Sequence, residues 1–278
     1  MKKNITTILL VLVFVVGLSI LLYPTVSDWW NSTRQTRAIV QYMENLENMD
    51  AEQHEQMRND AIAYNQELAA KSNQYAVSEE QLARYESILD VSGTGIMGYV
   101  EIPRIDVQLP IYHSTAESVL QVAIGHLEWT SLPVGRESTH CVISGHRGLP
   151  SAKLFTDLPL LEEGDIFTLS VLDQVMTYQI DQIHIVLPYE TESLLIQPGE
   201  DLCTLVTCTP YGVNTHRLLV RGHRIETQET PELRQAVADA VQIEPAVVAV
   251  ILAVPMLLIL LIVLMLPKKK PKSEEEEA

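Results

Sequence analysis

Leu202-Cys203-Thr204-Leu205-Val206-Thr207-Cys208-Thr209-Pro210-Tyr211-Gly212, followed shortly by Arg217-Leu218-Leu219-Val220-Arg221-Gly222-His223-Arg224, decides the reading of this 278-residue chain. Both segments are rich in Leu, Val and Thr, and the first ends in a Thr-Pro-Tyr-Gly turn. That pattern predicts two strands joined by residues 209–216. An antiparallel pairing across that connection sets Arg217 near Cys208. Working outward, β-like runs fall at 98–102, 107–112, 141–144, 166–171 and 176–187. Short helices fit 116–124 and, after Pro150, 151–161. Seven or so strands with few helices predict a closed or sandwiched, mostly-β domain over 93–227. No internal repeat is present.

Upstream the texture differs. Neither Gly nor Pro occurs between Thr25 and Ser92, although the chain holds 12 Gly and 14 Pro. Absence of the two strongest breakers favours helix. Ile39, Met43 and Leu46, then Met57, Ala61, Tyr64 and Leu68, recur at helical spacing. Residues 28–92 therefore form a helical extension of two or three helices, with a turn or exposed helix at 48–56. Two readings stand: a stalk that lifts the domain, or a segment that packs across its active site.

The ends are apolar. Residues 5–23 and 246–266 are each long enough to cross a hydrocarbon core of roughly 30 Å. Lys2 and Lys3 precede the first run, and Lys268, Lys269, Lys270 and Lys272 follow the second. Positive residues stay cytoplasmic, so both termini lie inside and the middle outside. A cleaved signal peptide is the alternative for the first run. That run is long for one, and Leu-Tyr-Pro-Thr-Val-Ser-Asp-Trp-Trp offers no small-x-small cleavage site. Trp29 and Trp30 suit the outer interface. The expected layout is a cytoplasmic N-terminus and anchor at 1–27, a linker at 228–245, a second anchor at 246–266 and a cytoplasmic tail at 267–278. Between the anchors, residues 28–244 hold 13 Lys and Arg against 32 Asp and Glu, a formal charge of −19. Such a surface repels phosphate backbones, which excludes nucleic acid as a partner.

Three cysteines on the outside pose a disulfide question. Cys203 and Cys208 face opposite sides of one strand and cannot pair within it. Cys141 and Cys203 could sit on neighbouring strands, and one thiol would still remain. No spacing matches a zinc pattern. A spare thiol is a nucleophile or a small buried hydrophobe. Cys208 favours the first, because it stands at a strand end beside a turn, where a side chain can reach a cleft. Arg217 would favour its thiolate and could hold an acyl oxygen. Among eight histidines, His146 sits between Gly145 and Gly148 in a loop leaving a strand. His126 and His216 remain competitors on pattern alone, although His216 points away if Arg217 faces the cleft.

These residues resemble a known family. Thr204-Leu205-Val206-Thr207-Cys208 matches the TLxTC signature of sortases, the cysteine transpeptidases of Gram-positive surfaces. The similarity runs through Gly-Tyr-Val-Glu-Ile-Pro at 98–103, Leu-Pro-Ile-Tyr-His at 109–113, Gly-His-Leu at 125–127 and Gly-His-Arg-Gly-Leu-Pro-Ser-Ala at 145–152, covering roughly 96–226. Two anchors and a helical extension resemble class C, the pilin-polymerising branch. The resemblance implies a sortase-type eight-stranded β-barrel with short helices, preceded by the α-helical extension and flanked by two transmembrane helices. It implies Cys208 as nucleophile, His146 as acid/base and Arg217 as the oxyanion or substrate stabiliser, with no cofactor and no metal. The partners it implies are LPxTG-bearing pilins or surface proteins and an amine acceptor, either a pilin Lys or peptidoglycan.

Class C enzymes commonly carry a lid with an Asp-Pro-aromatic motif, absent here because no Pro lies between Thr25 and Ser92. Tyr75 is a candidate substitute plug, against the plainer reading of a surface Tyr in an inter-helix turn. A weak or differently built lid follows. Cys141 is expected to be buried and inert. A membrane-bound cysteine peptidase and a non-enzymatic scaffold are the readings from other classes.

Overall fold

The first apolar run continues into the extension as one helix, which runs on through Pro24. In the computed structural model, which describes residues 2–227 with side chains from Leu9 onward, α1 spans Lys2–Glu47. Its 46 residues reach about 69 Å at 1.5 Å each. Part of it is long and apolar enough to cross a membrane by length and composition. The expected linker at 228–245, second anchor at 246–266 and tail lie outside the described residues.

After a turn at Asn48–Met49, α2 (Ala51–Ala69) starts on a capping box. Asp50 accepts from the Gln53 amide at 2.8 Å, and the Gln53 side chain accepts from the Asp50 amide at 3.0 Å. Ser78 and Gln81 repeat the device at the start of α3 (Glu79–Ser87). The segment left open as turn or exposed helix is thus mostly helix.

The extension is no passive stalk. Ala61, Tyr64, Leu68, Tyr85 and Leu89 belong to the barrel's main core. Asn65 clamps the buried backbone of Leu132 from both sides, Nδ2 donating to its carbonyl at 3.0 Å and Oδ1 accepting from its amide at 2.7 Å. Tyr85 bonds the ring of His126 at 3.0 Å. Because His126 Nε2 faces the Ser131 carbonyl at 2.8 Å, that nitrogen carries the proton, and Nδ1 accepts from the Tyr85 hydroxyl.

Eight strands follow: β1 (Ile96–Ile102), β2 (Val107–His113), β3 (Ile124–His126), β4 (Thr139–Ser144), β5 (Ile166–Val171), β6 (Gln174–Val186), β7 (Asp201–Thr209) and β8 (His216–Ile225). They close a barrel in the order β1-β2-β3-β4-β7-β8-β6-β5. β2–β3 and β4–β7 are parallel, and the remaining neighbours antiparallel. Seven expected strands form within a few residues of their expected bounds.

Two helices fail. Within 116–124 only Glu117–Leu120 is helical, as α4, and Ile124 opens β3. The helix expected at 151–161 is a set of turns ending in a single 3-10 turn at Leu158–Leu160. Pro159 lies inside that stretch and cannot donate to a helical ladder. Leu154, with positive φ of 39°, also leaves the helical region.

Candidate active site

Strand parity decides what faces where. Cys203, Leu205, Leu218 and Val220 point into the main core. Their neighbours Val206 and Leu219 point outward and join Val142 and Leu194 in a second apolar cluster. Cys208 is two residues beyond Val206, and Arg217 two before Leu219, so both share that outer face. They are direct partners in the antiparallel β7–β8 register. Cys203 is fully buried while Cys208 is half-buried, so the two thiols of one strand face opposite sides.

His146 arrives by a different route. β4 lies parallel to β7, with Ser144 opposite Val206. His146 is two residues past Ser144, as Cys208 is past Val206, so both leave adjacent strands at the same end. The bend between them is tied down. The Gly145 amide donates to the Val206 carbonyl at 3.0 Å, and the buried Thr207 hydroxyl donates to the Gly145 carbonyl at 2.7 Å. Only glycine fits at 145, because a Cβ there would stand 2.7 Å from Ile124 and 2.8 Å from Phe155. The Phe155 amide closes the loop onto the His146 carbonyl at 3.1 Å.

Arg147 joins this loop to the one after Cys208. Its Nη1 donates to Thr209 Oγ1 at 3.2 Å, and its guanidinium lies 5.9 Å from the Tyr211 ring centre. Tyr211 also covers Gly148, whose positive φ of 76° and lack of Cβ admit the ring. The Arg217 guanidinium is turned onto its own loop, donating to the carbonyls of Asn214 at 3.2 Å and His216 at 3.1 Å. His146 Nε2 has no hydrogen-bond partner among the described residues; Glu117 Oε2 stands 3.7 Å away. Glu117, on α4, escaped the sequence reading, since nothing local in that segment points to the distant His146.

The competing histidines have other employment. His126 is enclosed between Tyr85 and the Ser131 carbonyl, and His216 bonds Thr215. His113 bonds the Gly95 and Ile88 carbonyls. His140 faces the Leu195 carbonyl with Nδ1 at 3.0 Å and Thr204 Oγ1 with Nε2 at 2.8 Å. Burial lowers its pKa to about 4, so it is neutral, with the proton on Nδ1. Cys141 and Cys203 are direct partners in the β4–β7 ladder, both free thiols and both buried. Burial pushes the Cys203 thiol well up. Among the described residues no group of three His, Cys, Asp or Glu side chains gathers to hold a metal ion.

Tyr75 lies in the turn between α2 and α3, and that turn crosses the outer face. Its ring tilts onto Trp129 with centres 4.9 Å apart, and its hydroxyl accepts from Thr191 Oγ1 at 3.0 Å. Trp129 packs on the Val142–Val206 cluster, whose Val206 is two residues before Cys208 on the same face of β7. Beside it, Gln74 Oε1 accepts from the Ile196 amide at 3.0 Å.

The Sortase domain family model matches residues 100–225. Sortase C1 of Streptococcus agalactiae is 48% identical and superposes with a TM-score of 0.68, the match covering 69% of this chain and all of that one. Sortase C of Streptococcus pneumoniae is 46% identical over 70% of this chain and 99% of its own, with a TM-score of 0.63. Sortase D of Bacillus subtilis is 30% identical over 165 residues, 57% of this chain and 80% of that protein. With the barrel order and the pairing at the mouth, these similarities mean that the chain belongs to the sortase family of cysteine transpeptidases and resembles its class C members.

Proposed function

We propose that the protein is a membrane-anchored extracellular transpeptidase that joins an LPxTG-like sorting motif to an amine, Cys208 being the nucleophile. The observation that carries this reading is the Cys208–Arg217 register pair on the outer face, with the His146 loop tied to the same strand end. Cys208 thiolate attacks the carbonyl of the motif's Thr, and Arg217, swung from its loop carbonyls, stabilises the oxyanion. His146 protonates the departing Gly amine as the C–N bond breaks, leaving a thioester on Cys208. An incoming amine gives its proton to His146 and attacks the thioester, and Cys208 leaves as thiolate. A thioester suits this task because it persists long enough to meet an amine.

The resemblance to class C and the −19 charge of residues 28–244 favour a Lys side chain of a pilin as that amine. Anchoring of single proteins to a peptidoglycan amine is the alternative. The crystal structure of the Streptococcus pneumoniae neighbour bears on that enzyme's pilin substrate specificity. The apolar stretch of α1 supports anchoring; the full proposal has two spans, both termini cytoplasmic. Tyr75, braced on Trp129 and Thr191, is proposed as a lid over the groove leading to Cys208.

The full chain in detergent, incubated with an LPxTG peptide and then an amine, should give an acyl adduct on Cys208 by mass spectrometry, lost in Cys208→Ala, and a product joined to the amine. Hydrolysis alone would make it a peptidase. Absence of any adduct, with the Tyr75→Ala variant equally silent, would sink the enzyme reading.

A further inference from the structure

We infer that the reactive mouth of the barrel faces the bilayer, with the 210–215 loop at headgroup level. This rests on the proposal that α1 spans the membrane, and it concerns how that span aims the site. α1 leaves its apolar stretch at Trp29 and Trp30, both exposed, and continues as one helix alongside the barrel. Four ties fix the barrel's orientation against it. Asp28 Oδ1 accepts from the Lys153 amide at 2.6 Å, and Asn31 Nδ2 donates to the Ser151 carbonyl at 2.7 Å. Gln35 Nε2 donates to the Val122 carbonyl at 2.6 Å. Farthest along, the buried Tyr42 hydroxyl donates to the Met97 carbonyl at 3.2 Å and accepts from the Leu172 amide at 2.9 Å.

Ser151 and Lys153 lie within the loop that Phe155 closes onto His146. Leu172 is the turn between β5 and β6, at the opposite end of the barrel. Asp28 and Tyr42 are separated by about 21 Å of helix axis at 1.5 Å per residue. The His146 loop therefore sits beside the helix where it meets the interface, and the β5–β6 turn stands a barrel's height above. Both β4 and β7 run toward the lower end, and β8 departs from it.

That end exposes apolar side chains. Tyr211 is 62% exposed, Val213 65% and Leu160 62%. Exposed large apolar groups at one end mark an interaction surface, and Tyr and Trp are the residues enriched at membrane interfaces. The occupant assigned to this surface is the headgroup layer of the bilayer that α1 enters. Polypeptide substrates then reach Cys208 from the membrane side.

The test places a fluorophore at one site in the full chain, reconstituted in nanodiscs with headgroup spin-labelled lipid. In a Cys208→Ala background the buried Cys141 and Cys203 leave the label on a single added thiol. Val213→Cys should lose most of its fluorescence to the spin label, while Glu137→Cys, in the β3–β4 loop at the far end, should keep nearly all of it. Equal quenching at both positions, or stronger quenching at Glu137→Cys, overturns the proposal. The parent chain with Cys208 intact, unlabelled in discs of the same lipid and assayed for the acyl adduct, separates the two readings: adduct without the quenching difference sinks only the orientation. Quenching at Val213→Cys without adduct upholds the orientation and sinks only the chemistry.

Discussion

Replacing Thr207 by Val removes one hydroxyl and keeps the shape of the side chain. In the structure that hydroxyl donates to the Gly145 carbonyl at 2.7 Å, 62 residues away in sequence. Thr207 is buried on the inner face of β7, where no solvent replaces the lost donor. Leaving a buried carbonyl unpaired costs about 1–3 kcal/mol. For a folded unit of this size, 1 kcal/mol shifts the melting temperature by about 2–4 °C, so the variant should melt roughly 2–12 °C lower. The local effect reaches the chemistry, because Gly145 immediately precedes His146, and one of the two ties holding that bend to β7 is gone. Acyl-enzyme formation at Cys208, followed by mass spectrometry well below the melting temperature, should slow, and Thr207→Ser should restore both rate and stability. Thr207→Val with unchanged melting and an unchanged acylation rate would refute the idea that this bond positions the His146 loop.

Tyr75→Ala should raise the alkylation rate of Cys208 by a small-molecule thiol reagent, since it removes the contacts with Trp129 and Thr191; an unchanged rate dismisses the lid. Gly145→Ala forces a Cβ to within 2.7 Å of Ile124 and 2.8 Å of Phe155, and should cost about 1–3 kcal/mol in urea unfolding. His140 has a folded pKa of about 4 against an ordinary 6.5. The unfolded chain therefore takes up its proton first as pH falls. The stability that neutral His140 contributes is complete above pH 6.5 and is lost between there and about pH 4, with a ceiling of about 3 kcal/mol. The stability gap between the parent and His140→Gln should shrink across that window, and a constant gap counts against the assignment.

The sequence exposes most of the sheet because its strands are local events. Thr204 to Cys208, with a turn behind and Arg217 ahead, specifies a pairing that neighbouring residues enforce, and the register matches. His146 is less legible. Its partner strand is set by the parallel β4–β7 pairing, which joins segments some sixty residues apart and leaves no local trace. His126 therefore looks as plausible from pattern alone, whereas in the structure it is enclosed by Tyr85 and Ser131. β3 escapes detection because three residues carry no period, and their apolar neighbours from 116 mimic a helix. The capping boxes at Asp50 and Ser78 are written in plain sequence, whereas Tyr64 and Tyr85 give no sign that their helices complete the barrel core.

The strand order carries a consequence for the chain's birth. Cys208 and His146 become neighbours only when β7 inserts beside β4, after β5 and β6 have been made and β8 is still to come. Contacts this distant in sequence form late and slowly. A chain made N-terminus first presents its histidine long before its cysteine, and presents both before their strands close. Until β7 and β8 seat, then, Cys208 has neither the His146 loop nor Arg217 beside it. The proposed site is complete only once the last strand has seated.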